Sequence, residues 1–198
     1  MKKKFKPFTE RLKKVDQFIR EYLRKLPGGI LYHSIEHTLH PINGVVAVCN
    51  KLAIMERVSY LDRELVIVAA YFHDIGFVDA LKERHEERAV EVAKLKLPQF
   101  GFNKDEIDII CKIIMSTKIG IKPKTTCEEI INDADVDNLG RDDFFERAEL
   151  LRREFGIDED IWHEKNIKFL KNHKWLTKSQ QKLREKKKKE NLKRLVEQ

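Results

Sequence analysis

The sequence predicts an all-α fold, a single helical bundle with an extra basic helix at its C-terminus. Three observations carry this expectation. Apolar residues recur with helical spacing along most of the chain, and only short stretches alternate as strands do. Turn signals built from Pro, Gly, Asn and Asp fall between the helical stretches. At 198 residues the chain suits one ordinary domain with an appendage, and a globule of that size buries roughly 70% of its unfolded surface, enough for a real core.

Taken in order, residues 8–26 read as one amphipathic helix, stopped by Pro27, Gly28 and Gly29. Helices follow over 42–56 and 63–75. The second holds the most apolar run in the chain, 65–72 (LVIVAAYF), and Asp62 is placed to cap it. That run is too short to span a bilayer and reads as a buried helix segment. Helices over 84–96 and 104–117 are separated by a turn containing Pro98, Gly101 and Asn103. Gly120 and Pro123 set off the next helix, 125–139. Helices over 142–154 and 160–172 complete the body, and a basic helix runs from 177 to the end. The expected organisation is an N-terminal helix over 1–29 packed on a core over 30–175, with the basic helix over 176–198.

Charged residues make up 37% of the chain, with 40 Lys and Arg against 33 Asp and Glu. Residues 179–198 supply more than half of the net +7, so the body itself is only slightly basic. Such a terminal lysine run reads as a solvated helix face, with a polyanion partner as the alternative. The opening MKKKFKPFTERLKKV has a charged start but no apolar core, which does not fit a secretory signal, and a cytoplasmic location is expected. Cys49, Cys111 and Cys127 form neither a disulfide framework nor a zinc knuckle, so the chemistry is expected elsewhere.

Histidines and aspartates offer that chemistry. His73 and Asp74 end the most apolar helix, where burying a carboxylate without a partner costs several kcal/mol. Something positive should meet Asp74, and a divalent cation is the economical candidate, since adjacent His and Asp supply nitrogen and oxygen ligands. A core histidine beside a helix-end acceptor is the plainer alternative. Upstream, in YHSIEHT, His33 and His37 stand one helical turn apart and could face one pocket. Downstream, Asp133, Asp135 and Asp137 occupy an otherwise apolar segment. A calcium loop does not explain them, because the glycine required at its sixth position would be Asn138 and the glutamate at its twelfth would be Phe144.

His37, the His73-Asp74 pair and Asp135 resemble the H…HD…D pattern of the HD-domain superfamily, an all-helical family that mostly hydrolyses phosphate esters. The resemblance covers residues 30–140 and extends to local motifs: YHSIEHT, FHDIG and DADVDNLG each resemble a family segment. HEERA at 85–89, LGRDDF at 139–144 and LRRE at 151–154 are similar to a bacterial branch of metal-dependent phosphohydrolases.

The resemblance implies an HD-type bundle whose metal is held by His37, His73, Asp74 and Asp135. It prefers Asp135 over Asp133 because Asp135 matches the family's Ala-Asp position. His33 matches a residue that touches substrate or leaving group in similar phosphodiesterases. His85 and Glu86 are expected to border the same cavity, with His85 and Lys118 contacting substrate and Glu86 activating water or orienting a ligand histidine. No histidine lies between His85 and His163, so one principal metal is expected rather than two. Pro41 would break a helix running from His37, which places His37 on a turn and leaves His40 as a competing ligand.

The expected reaction is hydrolysis of a phosphate ester or phosphodiester, with a nucleotide as the anticipated substrate. The cofactor would be one divalent ion drawn from Mn, Fe, Co, Ni, Zn or Mg. It would acidify a water molecule, Asp74 or Glu86 would take the proton, and His33 would protonate the leaving oxygen. Lys118, Lys122 and Lys124 could hold further phosphates. The alternative is a non-catalytic helical module that senses a nucleotide, or binds nucleic acid through the basic C-terminal helix.

Overall fold

A computed structural model describes residues 10–79 and 82–197. The start of the helix expected from residue 8 lies outside them. Among the described residues there are ten α-helices and no strand. The hub is α4 (Tyr60–Phe72), in which Glu64 and all of residues 65–72 are buried. Around it pack α1 (Glu10–Leu23), α3 (Val45–Met55), α6 (Lys104–Met115) and α7 (Thr126–Asp135). A helical run apolar on all sides is stable only when enclosed in this way. Each fully buried Leu, Ile or Val adds about 1.5–3 kcal/mol, so the end of α4 is a firmly anchored place for a functional group.

Several helix ends differ from the sequence expectation, and each has a local cause. Ser59, not Asp62, caps α4: its hydroxyl accepts the Asp62 N–H at 3.0 Å and donates to Asp62 Oδ2 at 2.7 Å. Asp62 therefore sits in the first turn, where its charge still favours the helix N-terminus. At the other end α4 stops at Phe72, leaving His73 and Asp74 before a tight turn, Ile75–Val78. Gly76 in that turn is obligatory, because a Cβ would lie 2.0 Å from the His85 carbonyl oxygen. Its absence lets α5 (His85–Lys96) approach the end of α4.

The region before α3 also needs correction. His37 is not on a turn but on a short helix, α2 (Ile35–Leu39), which ends before Pro41 as a residue lacking an N–H requires. The helix expected over 125–139 breaks at Asp135, and Asp137–Gly140 forms a separate tight turn.

A second, smaller core gathers the C-terminal third. Leu139, Phe144, Leu170, Trp175 and Leu195 pack together from the turn, α8 (Phe144–Phe155), α9 (Glu159–Asn172) and α10 (Lys178–Val196). α10 lies directly on the Asp137–Gly140 turn, where a Cβ on Gly140 would come within 2.5 Å of the Arg184 Cβ. The buried Asn191 amide donates to the carbonyls of Leu139 and Arg141 at 3.0 and 2.8 Å. Among the described residues no helix is long and apolar enough to cross a membrane.

Candidate metal centre

α2, the C-terminal edge of α4 and the last turn of α7 converge on one point. There His37, His73, Asp74 and Asp135 each present a potential ligand atom, all within 4.8 Å of one another. His37 Nε2 lies 3.0 Å from Asp135 Oδ1 and 3.4 Å from Asp74 Oδ2. His73 Nε2 lies 2.9 Å from Asp74 Oδ2 and 3.5 Å from His37 Nε2. His73 Nδ1 is 2.8 Å from the Ala70 carbonyl, which can only accept, so Nδ1 carries a proton and Nε2 is turned to the cluster.

Hydrogen bonds within the cluster leave one of its oxygens unmet. Asp74 Oδ2 is buried without a hydrogen-bond donor, since the imidazole nitrogen at 2.9 Å approaches it outside hydrogen-bonding geometry. A carboxylate oxygen so placed costs free energy unless a positive charge meets it. Burial opposes ionisation of Asp74 and Asp135, yet His73 and His33 beside the first, and His37 and His73 beside the second, hold both below the ordinary carboxylate range. Burial also works against a charge on His73, but Asp74 and Asp135 outweigh it and raise its pKa well above normal. For His37 burial wins and the pKa falls. In the protein alone, a proton on His73 supplies positive charge between two carboxylates. Two imidazoles and two carboxylates are also a donor set suited to a divalent metal, which takes the place of such protons.

Helix phase sorts the three aspartates of α7 and its exit. Residues 133 and 135 lie on opposite sides of α7 at about 100° per residue, and the turn after it brings Asp137 round to the side of Asp133. Asp133 accepts the backbone N–H groups of Leu176 and Thr177 at 2.9 and 2.7 Å, and the Thr177 hydroxyl at 2.7 Å. Asp137 accepts the Gln180 amide at 2.7 Å and the two arms of Arg184 at 2.7 and 2.8 Å. Both are committed to α10 and its approach, and of the three only Asp135 joins the histidines.

His33 stands beside the cluster. Its Nδ1 makes a short hydrogen bond to Glu154 Oε1, whose other oxygen accepts the N–H groups of Leu31, Tyr32 and His33 at 2.8, 2.7 and 3.2 Å. Phe77 stacks on His33 at 4.2 Å and on His85 at 4.1 Å between ring centres. Burial disfavours a charged His33, but Asp74 and Glu154 overcome it and raise its pKa. His85 Nε2 is 3.8 Å from Asp74 Oδ1, and its Nδ1 is 3.3 Å from Glu86 Oε2, so Glu86 lies behind the ring. Lys118 is engaged with the Glu87 carboxylate and, at 3.4 Å, the Glu83 carbonyl. His40 Nδ1 accepts the N–H groups of Ile42 and Asn43 at 3.3 and 3.1 Å, closing the turn rather than joining the cluster.

Three features had no role in the sequence reading: Glu154 behind His33, the clasp of Asp133 and Asp137 on α10, and a cavity beside His37 reached by Arg141 and Arg147. The family model described as HD domain matches residues 34–138, just over half of the chain. That stretch contains all four cluster residues and excludes His33, Glu154 and α10. No curated protein and no solved structure shows significant similarity to the chain.

Proposed function

The chain belongs to the HD-domain family, whose members are in general metal-dependent phosphohydrolases, and from that premise we propose that it hydrolyses a phosphate ester or phosphodiester of a nucleotide-type substrate. The reading is carried by the four convergent ligand atoms around a buried Asp74 oxygen that has no donor. His37, His73, Asp74 and Asp135 are the residues that would hold a divalent ion. When bound, such an ion draws charge from a phosphate oxygen and makes water acidic enough to ionise near neutral pH.

The remaining chemistry falls to side chains. With Nδ1 committed to Glu154, His33 has only Nε2 from which to hand a proton to the leaving oxygen. Glu154 acts through His33 and is a positioning residue. Asp74 Oδ1 faces His85 rather than His37 and His73, so it is the oxygen available to accept a proton from the attacking water. Glu86 orients His85, whose Nε2 side borders the reacting phosphate. Lys118 would contact a substrate phosphate only after leaving Glu87.

Nucleic-acid binding through α10 would have to use only part of its basic side chains. Arg184 is held by Asp137 and Lys188 by Glu185 and the His173 carbonyl, so these two cations serve packing, and the exposed Lys182, Lys186, Lys189, Lys193 and Arg194 are what a polyanion would meet. The test is elemental analysis of the purified chain, followed by phosphate release from nucleotides and model esters with each divalent metal. The wild type should contain metal and turn over, and a His73→Ala/Asp74→Ala variant should do neither. A variant that kept both properties would refute the assignment.

A further inference from the structure

A cavity of about 240 Å³ opens beside His37, between α2, the Asp137–Gly140 turn and α8, with Tyr32, the neighbour of His33, in its lining. His37 belongs to both this cavity and the histidine-aspartate cluster. The cavity thus adjoins the place where a phosphate would be held and is within reach of the rest of such a molecule. This volume is below the ~300–1,000 Å³ of pockets for drug-sized ligands and suits one ring-sized group.

The lining determines which group. Arg141 is neutralised, with Nε and one terminal nitrogen on Asp143 and the other on the Asn43 carbonyl at 3.0 Å. Arg147 lays its guanidinium 4.8 Å from the Tyr32 ring centre and gives one N–H to the Tyr32 carbonyl at 3.3 Å. Glu36 and Glu146 line the same space, are exposed, and form no ion pair within 4.0 Å among the described residues. With Arg141 and Asp143 cancelled, Arg147 against two glutamates leaves a net negative charge. A second phosphate would be repelled, and an apolar group would strip water from two carboxylates without replacing its hydrogen bonds. Hydroxyl groups satisfy carboxylates as donors and the arginine as acceptors at once.

We infer that this cavity is the specificity pocket for the substrate's uncharged part, and that it selects a polyhydroxylated group such as a sugar ring, with Glu36 and Glu146 accepting its hydroxyls. The inference rests on the hydrolase reading for where the phosphate sits. Its test is equilibrium binding to the full chain in Mn²⁺, measured by calorimetry with ribose 5-phosphate, butyl phosphate, ribose 1,5-bisphosphate and inorganic phosphate. Ribose 5-phosphate should bind at least about ten-fold tighter than each of the others, the loss expected when charged acceptors miss their donors. In a Glu36→Gln/Glu146→Gln variant, checked for an unchanged Tm, that advantage should shrink to about two-fold or less. Equal binding of the four probes, tighter binding of butyl phosphate or of the bisphosphate, or an advantage intact in the variant would overturn the pocket. Ribose 5-phosphate bound with the expected preference but never hydrolysed, alone or as part of a nucleotide, would support the pocket and remove the hydrolase reading instead.

Discussion

The two sides of the segment 133–137 treat buried carboxylates in opposite ways. Around α10, Asp133 and Asp137 are each met by three donors from the chain itself, and the charge is fully absorbed by the fold. Around His37 and His73, Asp74 and Asp135 face imidazoles that crowd one point, and no donor reaches one Asp74 oxygen in hydrogen-bonding geometry. The same residue type, two positions apart, is spent on architecture in one direction and held open in the other. Protein groups left unsatisfied in a buried site indicate a ligand that the chain does not provide.

Substitutions on the open side should affect chemistry, and those on the closed side should affect folding. His73→Ala should have the largest effect, a loss of phosphate release of at least ~1,000-fold, about 4 kcal/mol of barrier, read from kcat/KM. Arg184→Ala leaves Asp137 buried with its amide partner and a distant Arg141 at 3.7 Å, and should cost about 3 kcal/mol in urea unfolding while metal content persists. If Arg184→Ala instead removed the metal at full stability, the division between the two sides would fail.

Glu154→Gln should lower kcat by about 10–100-fold without changing metal content, because the amide can still accept backbone N–H groups but no longer favours a proton on His33. A normal pH profile with reduced kcat would point to a packing role. An effect seen only at acid pH, and absent at neutrality, belongs to His173 in the C-terminal core. Burial, helped by Lys188, pushes its pKa from 6.5 down to about 4. The folded state then binds fewer protons than the unfolded chain between those pH values, so stability falls as pH drops from 6.5 toward 4 and is fully present above 6.5. NMR titration of the His173 ring should show a midpoint well below that of an exposed histidine.

The fold was legible where one periodicity had one reading. Residues 65–72 sit inside a longer helical pattern over 63–75 and so read as an enclosed helix, and the motifs HD and DAD already located the centre. Helix ends were less legible, because Ser59 and Asp62 are both good cap residues and only the backbone decides which hydroxyl or carboxylate meets the free N–H groups. The preference for Asp135 over Asp133 was available in the match to the family's Ala-Asp position, and the two carboxylates, two residues apart near the end of α7, do point to opposite sides. Glu154 was not available. The LRRE segment at 151–154 marked its surroundings, but its partner His33 lies 121 residues away, and nothing in the segment says which other side chain its glutamate will meet. The cavity beside His37 was hidden for the same reason, being assembled from α2, a turn and α8.

The most direct test compares the two aspartates across that divide. Manganese binding, followed by electron paramagnetic resonance titration, should fall at least about 100-fold in Asp135→Ala, as for loss of a ligand. Asp133→Ala, stabilised by low temperature if its midpoint drops, should bind as the wild type does. Equal manganese affinity in Asp135→Ala and the wild type, or loss confined to Asp133→Ala in its folded state, would contradict the assignment of the metal centre.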